Sequence, residues 1–337
     1  MQTSIRFAVL VSKFLLDYLP LQRAYSKNTI LSYRDSLKLF LRYVSQEKQI
    51  KVNDFSIRDF NRSTVLEFLT WYQKEGAGLS AANQRLAALK SFSQYLQSEQ
   101  IEFGAQMAEI LSIKAPKAVP REIRFLTPDQ VSKLINKPDA RSSTSLRHRA
   151  VMTLLYDSGC RVQELCDLTV GDVSLEISLT TVRLHGKGSK YRTVAVSQET
   201  GTLLKIYKEK FRKHALRQDP FFINRQGLQL KRDGVGYILN KYAEEVRKEC
   251  PRFPKKIHCH MLRHSKAMHM LEANINIVYI RDLLGHEDVA TTMIYVKNSN
   301  RLKEKAINEL APKLTDCNSL PDWNKDSNLM EFLNSLT

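Results

Sequence analysis

Apolar residues in the first third of the chain recur every three or four positions, which is the spacing of amphipathic helices. Residues 26–29 form a polar helix-start signal ahead of one such run. Residues 61–64 form a second signal, and Gly76 interrupts the helix that follows. Ser80 is expected to cap a third helix. Residues 1–113 are therefore predicted to form a helical bundle.

A basic segment separates this bundle from the rest of the chain. Residues 114–124 hold two prolines and several cations, a composition typical of an extended linker. Residues 125–310 are predicted to form a second domain. Residues 311–337 form a polar tail that ends in an amphipathic turn.

The second domain combines helical and strand periodicity. Thr127 before Pro128 favours a helix start, and helical spacing follows. Residues 180–184 and 192–196 are rich in β-formers and are joined by a glycine-containing turn, which predicts a β-hairpin. Helical spacing returns in residues 235–308. The expected fold class is mainly α with a small β-sheet, in which a helical domain precedes a mixed α/β domain.

The chain is strongly basic. Its 337 residues include 52 Lys and Arg against 35 Asp and Glu, a formal net charge of +17. Such an excess favours a polyanionic partner, because neutralising phosphates releases counterions and strengthens binding. Nucleic acid is the first expectation for that partner. A ribosomal or RNA-binding protein, or a basic solvated surface, fits the charge equally well.

Five cysteines at irregular spacing do not match a disulfide framework, so reduced thiols are expected. The apolar run at residues 7–16 contains Lys13 and is followed by Asp17, so it is too short and too charged to span a bilayer. No small-residue cleavage site clearly follows this run, which argues against a signal peptide. The run is therefore predicted to form an amphipathic helix. We expect a cytoplasmic, nucleoid-associated protein.

Two short motifs in the second domain could act on a phosphate group. Arg161 follows Gly159, where one helix is expected to end and another to begin, and a guanidinium there can bind phosphate. The ordinary alternative is an ion pair with Glu164. Lys187 lies between two glycines of the hairpin turn and could donate a proton, or could be a solvated turn residue.

Two histidines and an arginine lie close together further along. His260 and Arg263 are three residues apart, so one helix face presents both to a single phosphate. His264 follows His260 at a spacing found in zinc sites, and two cysteines are near. The zinc-protease helix needs Glu where this chain has Met261, and no paired Cys-x₂-Cys is present. No metal is therefore expected.

The last motif ends in a tyrosine. Gly285 is expected to stop a helix, His286 to follow that break, and Tyr295 to lie on the next helix. A lone tyrosine there usually packs in a core. With two arginines, a lysine and two histidines, however, it suits phosphoryl transfer without a metal. The arginines can neutralise the phosphate, one histidine can accept the tyrosine proton, and the lysine or the other histidine can protonate the leaving oxygen.

These motifs, in this order, resemble those of the tyrosine recombinase (phage integrase) family, over residues 26–296 or so. They are Gly-x-Arg-x-x-Glu-Leu, a hairpin Gly-Lys-Gly-x-Lys-x-Arg, His-x-x-Arg-His, Leu-Gly-His and Tyr. All six catalytic positions of the family are present as Arg161, Lys187, His260, Arg263, His286 and Tyr295. By the same matching, Glu164 and Asp172 are expected to support Arg161.

The resemblance implies an enzyme that breaks and rejoins DNA without a cofactor. Tyr295 is expected to attack the scissile phosphate, forming a 3′-phosphotyrosine and a free 5′-hydroxyl. Four protomers on two duplexes would exchange strands in two rounds through a Holliday junction. The two domains are expected to clamp the duplex, and the tail to dock on a neighbouring protomer or pack on its own. The expected DNA contacts are Lys114, Lys117, Arg121, Lys190 and Arg192, and the expected tail anchors are Leu329, Phe332 and Leu333.

The layout resembles that of Xer-like and simpler transposon recombinases, and we expect no arm-binding domain ahead of the helical bundle. We expect an integrase or transposase of a mobile element, with chromosome or plasmid dimer resolution as the alternative. Two other interpretations stay open at this point. One is a DNA-binding protein without catalysis, and the other is a type IB topoisomerase that relaxes supercoiled DNA as a monomer.

Overall fold

The computed structural model describes residues 7–117, 123–139, 142–176, 179–186 and 190–299, with short pieces near the C-terminus at residues 304, 307, 331 and 333–336. The chain divides into two compact units, Met1–Arg121 and Glu122–Thr337. In the described residues the fold is mostly helical with one small sheet, as the sequence predicts. None of the described helices is long and apolar enough to cross a membrane.

The described part of the first unit is built of helices. They are α1 (Phe7–Lys13), a π-helix (Phe14–Gln22), α2 (Lys27–Glu47), α3 (Arg62–Lys74), α4 (Leu79–Glu99), a 3₁₀ turn (Ile101–Phe103) and α5 (Gly104–Leu111).

Two of the three predicted helix starts in this unit are confirmed. Ser26 caps α2 by accepting an amide N–H at 3.3 Å, and Asn61 caps α3 in the same way at 3.0 Å. The predicted cap at Ser80 is wrong, because the capping position is Gly78, two residues earlier, and α4 begins at Leu79. The serine therefore lies within the first helical turn.

An aromatic core holds the first unit together. Phe14, from the π-helix, meets Phe92 of α4 edge to face at 5.1 Å between ring centroids. Phe40 of α2 meets Phe68 of α3 in the same way at 5.3 Å. Such pairs are favourable beyond the apolar area that they bury. The N-terminal apolar run is thus a packed part of this core.

The second unit contains eight helices, a 3₁₀ turn and three strands among its described residues. They are α6 (Pro128–Asn136), α7 (Ser143–Asp157), α8 (Val162–Cys166), a 3₁₀ turn (Val170–Asp172), β1 (Val173–Leu175), β2 (Thr180–His185), β3 (Tyr191–Ala195), α9 (Gln198–Phe211), α10 (Arg232–Glu249), α11 (Cys259–Glu272), α12 (Ile277–Leu284) and α13 (Val289–Asn298).

The sheet is antiparallel, in the order β1-β2-β3. The predicted hairpin is confirmed, with Leu184 paired to Arg192 and His185 to Tyr191 next to its turn. Strand β1 is not predicted by the sequence, because its three residues are too few for alternation to be recognised. One side of the sheet is buried in the main core of the unit through residues such as Val182, Leu184 and Val194.

Two glycines end helices where the sequence predicts. Gly159 follows the end of α7 at φ +58, and Gly285 follows α12 at φ +64. Both lie in the left-handed region, where a residue without a β-carbon is favoured. The two turns deliver Arg161 and His286 to the same part of the unit. Thr127 and Gln130 form the predicted start of α6 as a reciprocal capping box.

Candidate active site

Arg161 and Glu164 form an ion pair at the start of α8. Arg161 Nη1 donates to Glu164 Oε1 at 2.8 Å, and the Arg161 backbone N–H donates to Oε2 at 2.8 Å. The carboxylate is 4 % exposed, whereas the arginine side chain is 35 % exposed. Burial favours the neutral acid, but hydrogen bonds from Arg192 and from the Arg161 backbone outweigh it and lower the pKa of Glu164. An ionised Glu164 therefore orients a guanidinium that solvent and a ligand can still reach.

A second arginine, Arg192 of β3, shares the same carboxylate. Its Nη1 and Nη2 atoms donate to the two Glu164 oxygens at 3.0 and 2.7 Å, and its Nε donates to the Leu283 carbonyl at 2.9 Å. Its side chain is 14 % exposed. Its guanidinium is bonded to partners inside the protein, and the expected contact of Arg192 with DNA stays a prediction.

Arg263 of α11 is buried between the two glycine-containing turns. Its Nη1 donates to the Gly159 carbonyl and its Nη2 to the Leu284 carbonyl, each at 2.7 Å. Burial and the charge of Arg161 lower the pKa of Arg263 to about 10, so the group stays charged at neutral pH. The guanidinium has further N–H donors for a phosphate, since it carries five.

Tyr295 of α13 is almost fully buried and bonds to a histidine that the expected catalytic set does not include. Its hydroxyl lies 3.0 Å from His264 Nδ1. Burial raises the pKa of Tyr295, and the positive charges of Arg263 and Arg161 oppose that rise. The candidate nucleophile thus lies within the electrostatic influence of both candidate phosphate-binding arginines.

The two candidate acid–base histidines lie close to the candidate arginines, whose charges act on both. His286, directly after Gly285, has its Nδ1 2.9 Å from the Thr292 hydroxyl. His260, at the start of α11, lies beside His264 with 6.2 Å between ring centroids. Desolvation and nearby arginines lower both pKa values, that of His286 to about 4. Both rings are therefore neutral at pH 7 before any anion binds.

The structure therefore brings together five of the six expected catalytic residues: Arg161, His260, Arg263, His286 and Tyr295. Lys187 lies outside the described residues. Its neighbour Lys190 donates to Glu287 at 2.7 Å in an exposed pair that reaches from the hairpin to the segment after His286.

Asp172 is the one expected supporting residue with other partners. Its Oδ2 accepts the Thr169 hydroxyl at 2.6 Å, and its Oδ1 accepts Arg183 Nε at 3.0 Å. The expectation that it supports Arg161 is corrected accordingly. The acid caps the 3₁₀ turn ahead of β1 and fixes that turn to β2.

The structure describes only some of the residues expected in the linker and in the C-terminal tail. Lys114 and Lys117 are exposed, while Arg121 lies outside the described residues. Of the tail anchors, Leu329 and Phe332 also lie outside them, and Leu333 is exposed. Within the described residues, no group of three or more His, Cys, Asp or Glu side chains is placed to hold a metal ion.

His264 belongs to the His-x-x-Arg-His motif, but the sequence does not indicate what this second histidine does. Its signal was the i,i+4 spacing from His260, which the sequence offers equally as a zinc pattern. Its contact with Tyr295 joins α11 to α13, 31 positions apart along the chain. A contact of that range between two helices is not encoded in local periodicity.

Comparison with known proteins shows the family of this chain. The chain matches the model of the phage integrase family over residues 124–301, and that of the phage integrase N-terminal SAM-like domain over residues 13–100. It is 33% identical over 283 residues to the tyrosine recombinase XerD of Halalkalibacterium halodurans, covering 83% of this chain and 90% of the relative.

Two kinds of solved structure share the fold. A post-cleavage complex of the XerH recombinase with its palindromic difH substrate aligns with a TM-score of 0.66 and 22% identity, covering 85% of this chain and 81% of that one. The Tn1549 transposon integrase in complex with transposon right-end DNA aligns with a TM-score of 0.64 and 18% identity, covering 91% and 100%. The chain therefore belongs to the phage integrase family, and it is a tyrosine recombinase, an enzyme of site-specific DNA breaking and rejoining.

Proposed function

We propose that Tyr295 is the nucleophile with which this recombinase cuts DNA. The proposal is carried by the position of its hydroxyl, which is held by His264 at 3.0 Å in a centre made positive by Arg161 and Arg263. Positive charge favours the phenolate, which is the attacking form of tyrosine. A tyrosine that served only for packing would gain nothing from the nearby charges of two arginines.

The reaction is balanced without an external energy source. The Tyr295 oxygen attacks phosphorus, the bond between phosphorus and the 5′-oxygen breaks, the tyrosine proton passes to a base, and the 5′-oxygen gains a proton. The 3′-phosphotyrosine retains the energy of the phosphodiester bond, so attack by a 5′-hydroxyl rejoins the strand without ATP. No step requires a metal ion or an organic cofactor.

The described residues divide these tasks among themselves. Arg161 and Arg263 neutralise the non-bridging oxygens as charge builds on the phosphate. His260 and His286, both neutral at pH 7, are suited to accept the tyrosine proton and to bind the phosphate through N–H donors. Lys187 is assigned to the leaving 5′-oxygen on its match to the family motif alone.

Double-stranded DNA carrying recombination sites is the proposed partner, and the net charge of +17 supports this choice. The exposed Lys114 and Lys117, with Arg121, are the proposed backbone contacts of the linker. Four protomers would act on two duplexes through a Holliday junction, with the tail of each docked on a neighbour. The enzyme would act in the compartment that holds the DNA.

Two biological settings fit this chemistry. A mobile-element integrase or transposase is our first proposal, and an Xer-like role in dimer resolution is favoured by the relative named XerD. The likeness to a transposon integrase extends only to the fold. Inverted repeats and transposition genes beside the coding sequence would support the first setting, and a single chromosomal site would support the second.

A covalent-trapping experiment tests the nucleophile. The substrate is a nicked duplex that carries the core site, located by footprinting on the DNA that flanks the gene. We expect the wild-type enzyme to form a protein–DNA adduct and Tyr295→Phe to form none while still binding DNA. Tyr279→Phe, at an exposed tyrosine on α12, is the matched control and should react normally.

An adduct that persists in Tyr295→Phe would show that Tyr295 is not the nucleophile. Binding without any adduct from the wild-type enzyme would support a DNA-binding protein without catalysis. Relaxation of supercoiled plasmid by a monomer, without paired sites, would instead support a type IB topoisomerase. Adduct formation should survive EDTA, because the proposed mechanism uses no metal.

A further inference from the structure

Three buried or half-buried histidine–tyrosine pairs occur among the described residues of the second unit. His148 Nδ1 lies 3.0 Å from the Tyr242 hydroxyl, His269 Nδ1 2.9 Å from that of Tyr156, and His264 Nδ1 3.0 Å from that of Tyr295. The last two histidines lie on the same helix, α11, and their ring centroids lie 5.9 and 5.8 Å from those of their tyrosines. The protein thus contains an internal reference for the pair that includes the candidate nucleophile.

The two pairs on α11 differ in what surrounds them. His269 is anchored on both sides, because its Nε2 lies 2.8 Å from the Leu126 carbonyl. That pair fastens the start of α6 to α11 and is structural. The ring of His264 instead lies beside His260, and its tyrosine is within the influence of Arg161 and Arg263. The hydrogen bond between His264 and Tyr295 therefore lies within the candidate active site, unlike that between His269 and Tyr156.

The protonation state of His264 decides what its bond can do. Burial, together with the neighbouring His260, His258 and Arg263, lowers its pKa to about 4, so the ring is neutral at pH 7. A neutral imidazole has one nitrogen without a proton. When that nitrogen is Nδ1, it accepts a hydrogen bond from the Tyr295 hydroxyl. The lone pairs of the tyrosine oxygen then stay free for attack.

We propose that His264 is a positioning residue that fixes the Tyr295 hydroxyl for attack on the scissile phosphate. The inference rests on the proposed role of Tyr295 as nucleophile. The bond restricts rotation of the hydroxyl and holds the side chain where the charges of Arg161 and Arg263 act on it. It gives His264 a function distinct from that of His260, which is exposed and can meet the DNA directly.

The test compares two substitutions at His264 with the same two at His269. Leu removes the hydrogen-bonding group, and Asn restores a side-chain oxygen near the position of Nδ1. On the nicked duplex, we expect His264→Leu to slow adduct formation by about 10–100-fold, the loss typical of a misplaced reacting group, with an unchanged Kd for DNA. His264→Asn should recover most of the rate. Neither His269 variant should change the rate in the folded fraction.

A second substrate separates the nucleophile from the leaving group. When sulfur replaces the bridging 5′-oxygen at the scissile phosphate, the leaving thiolate needs no proton. The defect of His264→Leu should persist on this substrate, because it arises at Tyr295. Full recovery of the rate there would overturn the positioning role, since it would place His264 on the leaving-group side.

The outcomes also separate this inference from the nucleophile assignment. If Tyr295→Phe forms no adduct while His264→Leu reacts as fast as the wild type or faster, the positioning role is wrong and the nucleophile stands. If His264→Asn is as slow as His264→Leu, the hydrogen bond is not what matters and the role is again wrong. If Tyr295→Phe still forms an adduct, the proposed function itself fails.

Discussion

Gly285 lies in the left-handed region at φ +64, directly against the guanidinium of Arg192. A β-carbon at this position would lie 2.8 Å from Arg192 Nη1 and 3.0 Å from its Cδ and Cζ atoms. Any other residue would therefore strain the backbone and also displace the arginine that binds Glu164. The Gly of the Leu-Gly-His motif is needed both as a helix stop and as space for a buried side chain.

The two requirements can be separated with Gly227, which has φ +78 and open space around its missing β-carbon. Gly227→Ala should cost about 1 kcal/mol, the penalty for the left-handed conformation alone. Gly285→Ala should cost roughly 2–3 kcal/mol, because hydrogen bonds of Arg192 are also disturbed. Urea unfolding of the two variants measures the difference. Equal losses would mean that Arg192 moves aside without cost.

At the scale of elements, one side chain ties the hairpin to the rest of the site. Arg192 of β3 binds Glu164, which orients Arg161, and it also binds the Leu283 carbonyl at the end of α12, just ahead of His286. The hairpin, the start of α8 and the end of α12 are therefore held in register by a single guanidinium. A planar group with several donors is suited to this task, whereas an ammonium is a point charge.

Arg192→Lys should therefore be damaging although the charge is kept. We expect a loss of about 1–3 kcal/mol in unfolding free energy and adduct formation slowed about 10-fold or more, because three elements lose their common partner. Arg183→Lys is the matched control on the same hairpin. Its pair with Asp172 is 58 % exposed on the arginine side, so the change should cost less than about 1 kcal/mol. Similar losses of stability in both variants would contradict the proposal that Arg192 holds the three elements in register.

The elements themselves follow largely from local sequence signals. The caps at Ser26, Asn61 and Thr127 and the stops at Gly159 and Gly285 are read from residue type and position, since each satisfies or permits local backbone geometry. The hairpin follows from two β-rich runs around a glycine-containing turn. Short or overlapping signals fail, as at β1 and at Ser80.

Partners across the fold could not be read in this way. The sequence shows that Arg192 and Asp172 are charged, but not that one is buried on Glu164 and the other bonded to Arg183. It places His264 in a motif, but not against Tyr295. These pairings depend on how α11, α12, α13 and the sheet pack, and that packing sums many weak contacts that no single spacing encodes.

Considered as a whole, the second unit holds neutral histidines in a strongly basic protein. His148, His264 and His286 each have a pKa of about 4, because burial and nearby positive charges disfavour their protonated forms. Their folded-state pKa values lie below the ordinary 6.5, so the unfolded chain binds these protons first as pH falls. Their contribution to stability is full above about pH 6.5 and is lost progressively down to about pH 4.

His148 allows this loss to be measured away from the candidate active site. It is 4% exposed and bonds to Tyr242, and His148→Asn keeps a polar group near Nδ1 without a proton to gain. Wild-type stability should exceed that of the variant at pH 7, and the gap should narrow by on the order of 3 kcal/mol by pH 4. Urea unfolding at a series of pH values gives this difference in unfolding free energy directly, and other titrating groups cancel in it.

The carboxyl groups of Asp157, Glu164 and Asp172 have depressed pKa values and affect stability only at lower pH, below their unfolded values of about 4. A stability difference that narrows between pH 6.5 and 5 therefore reports on His148. A gap that stays constant across that range would show that His148 is not held neutral by its burial.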